Sequence, residues 1–241
     1  MILEQESLPY LKGDKFSKGY FFRLPSGENA FEDRISWFER HVRGKTLLDA
    51  GCADHSTQAI ERKRKMGTWL HEKLRKASSF CAGVDVSTDA VHYMKNVLHL
   101  PHVFCGHLLE TPQLKEYQKW DVIVLGEILE HTDNPVEFLR SILEIYPEVN
   151  ELLVSVPNAL RFQNFVFNLA NVECINSDHR YWFTPYTLAK VCVRAGWAIG
   201  EWGLVNSVKL DSGGVQNLLK RYWLKRFPMF RDTIVARLLR L

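Results

Sequence analysis

Acidic side chains stand where two apolar runs end. Asp49 and Gly51 close Lys45-Thr-Leu-Leu-Asp-Ala-Gly-Cys52, and Asp85 closes Ala82-Gly-Val-Asp85. In a doubly wound α/β domain, ligands sit outside the carboxyl ends of the strands. A tight turn after one strand and an acid after the next therefore mark one crevice, with Asp85 placed to accept from a pair of ribose hydroxyls. Further along, Glu127 and His131 are four residues apart. A helix there would put both on one face, the carboxylate orienting the imidazole and raising its basicity. His179, beside Asp178 and ahead of Tyr181, Trp182 and Phe183, is a second imidazole suited to taking a proton from a hydroxyl. Each histidine also has a plain structural reading: padding before the helix start at Asn134-Pro135 for His131, and a loop residue with a local partner for His179.

The elements that must position these residues alternate along the chain. Short β-rich runs are expected at Thr46 to Asp49, Phe80 to Val84, His102 to Cys105, Asp121 to Leu125 and Glu151 to Val156. Helical patterns lie at Thr57 to Ala77, Thr88 to Leu98 and Pro135 to Ile145. This rhythm predicts a doubly wound, mostly parallel sheet with helices on both faces. Residues 1 to 30, with Gly13, Gly19, Pro25, Ser26 and Gly27, form an irregular lead-in that could fold over a ligand, and a helix is expected from Phe31 to Val42. After Pro157 come an aromatic stretch at Leu160 to Leu169, a helix at Pro185 to Ala195 and β-like segments at Ala198 to Leu204 and Thr233 to Leu239. The expected division is a lead-in of residues 1–44 and a main domain of residues 45–241, within which 159–184 form an insertion.

Composition excludes several classes. The chain has 241 residues, 24% charged and 46% hydrophobic, with a net charge of +3, too small to argue for a nucleic-acid partner. The run Glu61-Arg-Lys-Arg-Lys65 reads as the solvated face of a helix. Cysteines 52, 81, 105, 174 and 192 are scattered, as in a reducing compartment, and neither a secretory signal nor a membrane span is evident, so a cytoplasmic protein is expected. No His, Asp or Glu cluster has metal-ligand spacing, so no metal is expected. Gly51 lacks the Gly-x-x-Gly completion of a dinucleotide site, which argues against a dehydrogenase.

Leu47-Leu-Asp-Ala-Gly-Cys52, Gly83-Val-Asp85, Asp121-Val-Ile-Val-Leu-Gly-Glu-Ile-Leu-Glu-His131 and Ser155-Val-Pro-Asn158 together resemble class I S-adenosylmethionine-dependent methyltransferases in order and spacing. Trp69-Leu-His71 and Asp178-His-Arg-Tyr-Trp-Phe-Thr-Pro185 are similar to bacterial small-molecule members associated with surface-glycan biosynthesis. The resemblance implies a Rossmann-like seven-stranded sheet with an antiparallel C-terminal strand, and S-adenosylmethionine as cofactor. It also implies roles. Asp49, Gly51 and Cys52 would lie at the methionine part, and Asp54 could bond its ammonium. Asp85 would hold the ribose and Val86 would pack on adenine. Gly106 and His107 would stand near the adenine amino group, while Gly126 and Glu127 close the pocket. His131 or His179, with Glu127, would serve an acceptor hydroxyl of a sugar or related intermediate, free or lipid-linked.

Ala53 and Asp54-His55 replace the second and third glycines usual in that turn. A quinone or phenol, a nitrogen or RNA stay open as acceptors, as does a scaffold that has lost catalysis. Phe162, Phe165, Trp182 and Phe183 read either as core or as an acceptor wall. In residues 212–226, Leu218, Leu219, Tyr222 and Trp223 share a helical face bordered by Lys220, Arg221, Lys225 and Arg226, with Asp211 and Ser212 as an N-cap. Such a helix covers the sheet or lies on an anionic membrane surface.

Overall fold

A computed structural model describes residues 5–23, 32–117, 119–207 and 215–241. The chain runs α1 (Leu8–Lys12), α2 (Arg34–Val42), β1 (Thr46–Ala50), α3 (Thr57–Lys65), α4 (Leu70–Ala77), β2 (Phe80–Asp85), α5 (Thr88–Asn96), β3 (Val103–Cys105), α6 (Gln113–Tyr117) and β4 (Val122–Gly126). After a short 3-10 turn at Leu129–His131 follow α7 (Pro135–Ile145), β5 (Glu151–Pro157), α8 (Phe162–Leu169), α9 (Pro185–Arg194), β6 (Trp197–Val205), α10 (Val215–Arg226) and β7 (Thr233–Arg240). The strands form one sheet in the order β3-β2-β1-β4-β5-β7-β6. β1 to β5 pair in parallel, and β7 runs antiparallel to both β5 and β6. The expected architecture is therefore present. The strand order reverses between β1 and β4, which opens the crevice at their carboxyl ends.

Apolar alternation explains the layers. Leu48, Ile123 and Leu125 face one core with Phe138 and Leu139 of α7 and Leu188 of α9. Leu47, Val122 and Val124 face the other, against Trp37 and Phe38 of α2 and Leu74 of α4. All four of these β4 residues have no exposed surface, as a parallel strand covered on both faces requires. Helices begin where the turns supply a cap: Asp33, Ser56, Ser87, Asn134 and Thr184 each accept from a first-turn amide.

The long helix expected over Thr57 to Ala77 is two helices. Gly67 takes φ +65, and Trp69 leaves the helical path so that its indole donates to the Cys52 carbonyl at 3.1 Å. The helix expected from Phe31 starts at Arg34 behind the Asp33 cap, Phe31 itself lying outside the described residues. The lead-in holds the short α1, whose Tyr10 stacks on Tyr20 with centroids 4.4 Å apart, while Lys190 of α9 donates to the Tyr10 carbonyl. Residues 24–31 lie outside the described part. Among the described residues no helix is long and apolar enough to cross a membrane.

An ion-pair group ties the sheet at its other end. Glu151 accepts from Lys45 at 2.8 Å and from Arg237 at 3.0 Å. Burial alone would raise its carboxyl, but the bonds from Arg237 and Lys45 hold it below the ordinary value of 4.5. With a depressed folded-state value, this stabilisation is complete above about pH 4.5 and lost as pH falls through the lower value. Glu151→Gln is expected to cost about 1–2 kcal/mol at pH 7, the two cations being partly solvated. Urea unfolding of both proteins checks this, and a deficit that does not shrink at pH 3 would refute the assignment.

Candidate active site

The floor of the crevice is the turn after β1. Gly51 takes φ +76 and donates to the Val84 carbonyl at 2.9 Å, and a Cβ there would sit 2.5 Å from Ile128 Cδ1. Asp54 and His55 adopt left-handed φ values of 52° and 67°, where a side chain is strained. Asp54 is engaged by Lys63 at 2.6 Å. Cys52 is buried against Gly83, and burial pushes its thiol well above the ordinary range, so it is a neutral packing group. Asp49 is buried and bonds Nδ1 of the equally buried His71 at 2.9 Å. Burial raises its carboxyl above the ordinary value, against the pull of the His71 bond.

Asp85 ends β2 and accepts from Ala53 N and Ser87 N, both at 2.9 Å. One oxygen serves each amide, so each keeps a further acceptor site. Val86 beside it is 68% exposed, an apolar surface left open on the crevice. Gly106 follows β3 and His107 lines the same cavity, its Nδ1 accepting from Leu109 N at 3.4 Å. At the end of β4, a Cβ on Gly126 would fall 2.8 Å from Leu70 and 2.9 Å from Arg34. Arg34 donates to Ser155 Oγ at 2.9 Å and lies 3.7 Å from Glu127. All ten residues expected at a cofactor line one cavity of ≈ 740 Å³.

The opposite wall differs from expectation. Glu127 has φ +63 and terminates the strand, so no helix joins it to His131, and Glu127 does not orient that imidazole. Asp178 does, bonding His131 Nδ1 at 3.0 Å. His131 and His179 meet edge to face with centroids 4.6 Å apart. The residues between and beside them are latched: Arg180 N donates to the Glu130 carbonyl at 2.7 Å, Arg180 pairs with Asp133 and donates to the His131 carbonyl, and Tyr181 Oη donates to the Asp133 carbonyl.

Glu130 is wholly buried, and its carboxyl is raised to about 8, chiefly by burial and then by Glu127. His179 is lowered by burial and by His131. Donor atoms of Glu130, His131 and His179 lie within 4.8 Å of one another, a grouping of metal-ligating types that residue spacing did not reveal because 48 residues of chain separate the histidines.

Of the aromatic candidates only Phe183 is core; Phe162 and Phe165 stay 44% and 50% exposed on α8, and the Trp182 indole donates to Glu173. On α10, Leu224 is buried and Trp223 packs on Phe162 and Phe230, leaving Leu218, Leu219 and Tyr222 exposed; the expected cap at Asp211 and Ser212 lies outside the described residues. His71, Arg34 and Glu130 join the site without being among the sequence-predicted site residues. An Arg and a His facing a buried acid across turns leave no periodic signal.

A family model described as a methyltransferase domain matches residues 28–201. The chain belongs to this methyltransferase-domain family. A ubiquinone biosynthesis O-methyltransferase of Coxiella burnetii is 23% identical over 146 residues, 59% of this chain and 56% of that protein. The chain thus spans little more than half the length of that relative. One from Nitrosospira multiformis is 23% identical over 190 residues and 70% of each chain. Among solved structures, the magnesium protoporphyrin IX methyltransferase of Synechocystis with bound SAH aligns at TM-score 0.53 and 14% identity, over 86% of this chain and 80% of that one. The small RNA methyltransferase HEN1 aligns at 0.59 and 18%, over 92% of this chain and 27% of that one. Both likenesses are of fold.

The chain carries a methyltransferase domain, and the crevice fits S-adenosylmethionine, the cofactor that the sequence motifs imply, on its own geometry. Its volume is in the range of small-molecule sites, about 300–1,000 Å³. Gly51 and Gly126 leave room where a Cβ would collide, and Asp85 offers acceptor sites beside an open apolar surface at Val86.

Proposed function

We propose that the protein is an S-adenosylmethionine-dependent methyltransferase acting on a hydroxyl oxygen of a small-molecule acceptor, a sugar or related biosynthetic intermediate. The observation that carries the reading is the facing of two walls across one cavity: the Gly51 and Asp85 turns on one side, His131 and His179 on the other. S-adenosylmethionine, when bound, supplies a methyl group on a sulfonium for in-line displacement. Asp85 accepts from both ribose hydroxyls and Val86 packs on adenine. Asp49, Gly51 and Cys52 form the floor under the methionine part, and Asp54 faces its ammonium. Gly106 and His107 meet the adenine amino group, and Gly126 and Glu127 close the crevice. Holding both reactants in line can lower the barrier by roughly 7–11 kcal/mol without a nucleophilic side chain. The acceptor proton is drawn off at the His131–His179 wall, with Glu127 at its edge.

In this reading, residues 1–44 are an accessory lead-in to a catalytic unit of 45–241, and 159–184 shape acceptor choice. A second reading, a phenolic or quinone-related hydroxyl, is favoured by the names of the relatives that match. The exposed face of α10 suits an acceptor delivered from a membrane surface.

The test is incubation of the purified protein with methyl-labelled cofactor and panels of sugars, nucleotide sugars and phenols, read by mass spectrometry. Label on an oxygen of one panel is expected. Label only on nitrogen, or only on RNA with steep salt dependence, would overturn the reading. His131→Ala and His179→Ala are each expected to slow turnover about 10²-fold or more with cofactor affinity intact. Full rate in both would remove these histidines from the mechanism.

A further inference from the structure

The acceptor wall holds polar groups whose needs the protein leaves unmet. Neither carboxylate oxygen of the wholly buried Glu130 has a partner among the described residues, and the buried Nδ1 of His179 has none either. One ligand atom from each of Glu130, His131 and His179 lies within 4.8 Å of the other two. A buried carboxylate without a partner is costly, and a cation removes that cost. His131 is already oriented for ligation. Its Nδ1–H donates to the acceptor-only carboxylate of Asp178 at 3.0 Å, which leaves the lone pair on Nε2. A carboxylate behind the ring is the usual partner of a metal-bound imidazole.

We propose that Glu130, His131 and His179 bind a divalent transition-metal cation at the acceptor wall. Two imidazoles and one carboxylate suit Mn2+, Co2+ or Zn2+ better than Mg2+ or Ca2+. Bonds of about 2.1 Å hold paired donors within roughly 4.2 Å, so the three side chains draw inward on binding by small torsional changes. Three protein donors leave coordination positions open towards the cavity that His131 and His179 line. A hydroxyl reaching the cation there becomes more acidic, its proton leaving to cavity water. The imidazoles then work as ligands, and losing either still slows turnover. Only this role in turnover rests on the hydroxyl-acceptor reading; the cation site itself does not.

The test uses the purified chain, stripped with a chelator, desalted and titrated with Co2+ alone, without cofactor or acceptor. Binding is followed by the visible absorption of Co2+ and by calorimetry. Saturable one-site binding is expected, weakened at least about tenfold in His179→Ala and in Glu130→Gln, with binding of S-adenosylmethionine unchanged. No saturable Co2+ binding by the folded wild type, or binding unaffected in both variants, overturns the proposal. Should Glu130→Gln not fold, His179→Ala at its partly exposed position decides alone. Co2+ binding without O-methylated product would fail the acceptor reading and leave the site standing.

Discussion

Asp85→Ala is expected to abolish measurable cofactor binding under ordinary calorimetric conditions while the protein stays folded. Two charge-assisted hydrogen bonds to ribose hydroxyls are worth about 1.5–3 kcal/mol each, so affinity should fall at least about 100-fold. The same change orphans Ala53 N and Ser87 N, which Asp85 now satisfies at 2.9 Å each. That adds a stability loss of about 1–3 kcal/mol and a fall in Tm of several degrees, on the order of 2–4 °C per kcal/mol for a chain of this size. Titration with S-adenosylmethionine and with its demethylated product, alongside thermal unfolding, separates the two effects. Unchanged affinity in a folded variant would sink the ribose assignment.

The second large effect is expected at His71, which bonds Asp49 beneath the crevice floor. His71→Ala leaves a buried carboxylate without its partner, a change that costs about 3–5 kcal/mol. It also opens a space beside Gly83, whose Cα lies so close that a Cβ would stand 2.9 Å from the His71 ring. The companion Asp49→Asn, His71→Ala double variant removes the charge as well as the ring. It should recover part of the loss, and a double-mutant cycle in urea measures the coupling. Additive losses would show that the pair is two independent packing groups.

Asp49, Gly51 and Asp85 could be read from the sequence because each sits where an apolar period stops, and that boundary is itself the edge of the sheet. Gly106, Gly126 and Glu127 follow the same logic at β3 and β4. The seven-stranded sheet and its antiparallel end were implied by the family resemblance that the run of motifs carries, while the strand order is seen only in the structure. The expectation linking Glu127 to His131 failed because helical spacing assumes a helix, and a φ of +63 at Glu127 breaks the chain direction there. The partner of His131 is Asp178, and the spacing of one pair on a line says nothing of a fold that brings in a segment from 47 residues away. The division of the helix at Gly67 was legible in principle, since Gly67-Thr68 ahead of Trp69 is a break signal. Exposure on α8 was not, because aromatic residues at helical spacing look the same whether they face a core or a solvent-lined wall.

The latch between residues 178–181 and the 130–133 turn has an evolutionary consequence. Apart from the Arg180–Asp133 and His131–Asp178 pairs, its bonds end on main-chain carbonyls of Glu130, His131 and Asp133. Every residue type offers that carbonyl, so the docking is largely indifferent to the side chains beneath it. A lineage can therefore vary most side chains of the 130–133 turn and keep the join, so long as the Arg180 guanidinium and the Tyr181 hydroxyl that reach those carbonyls are retained.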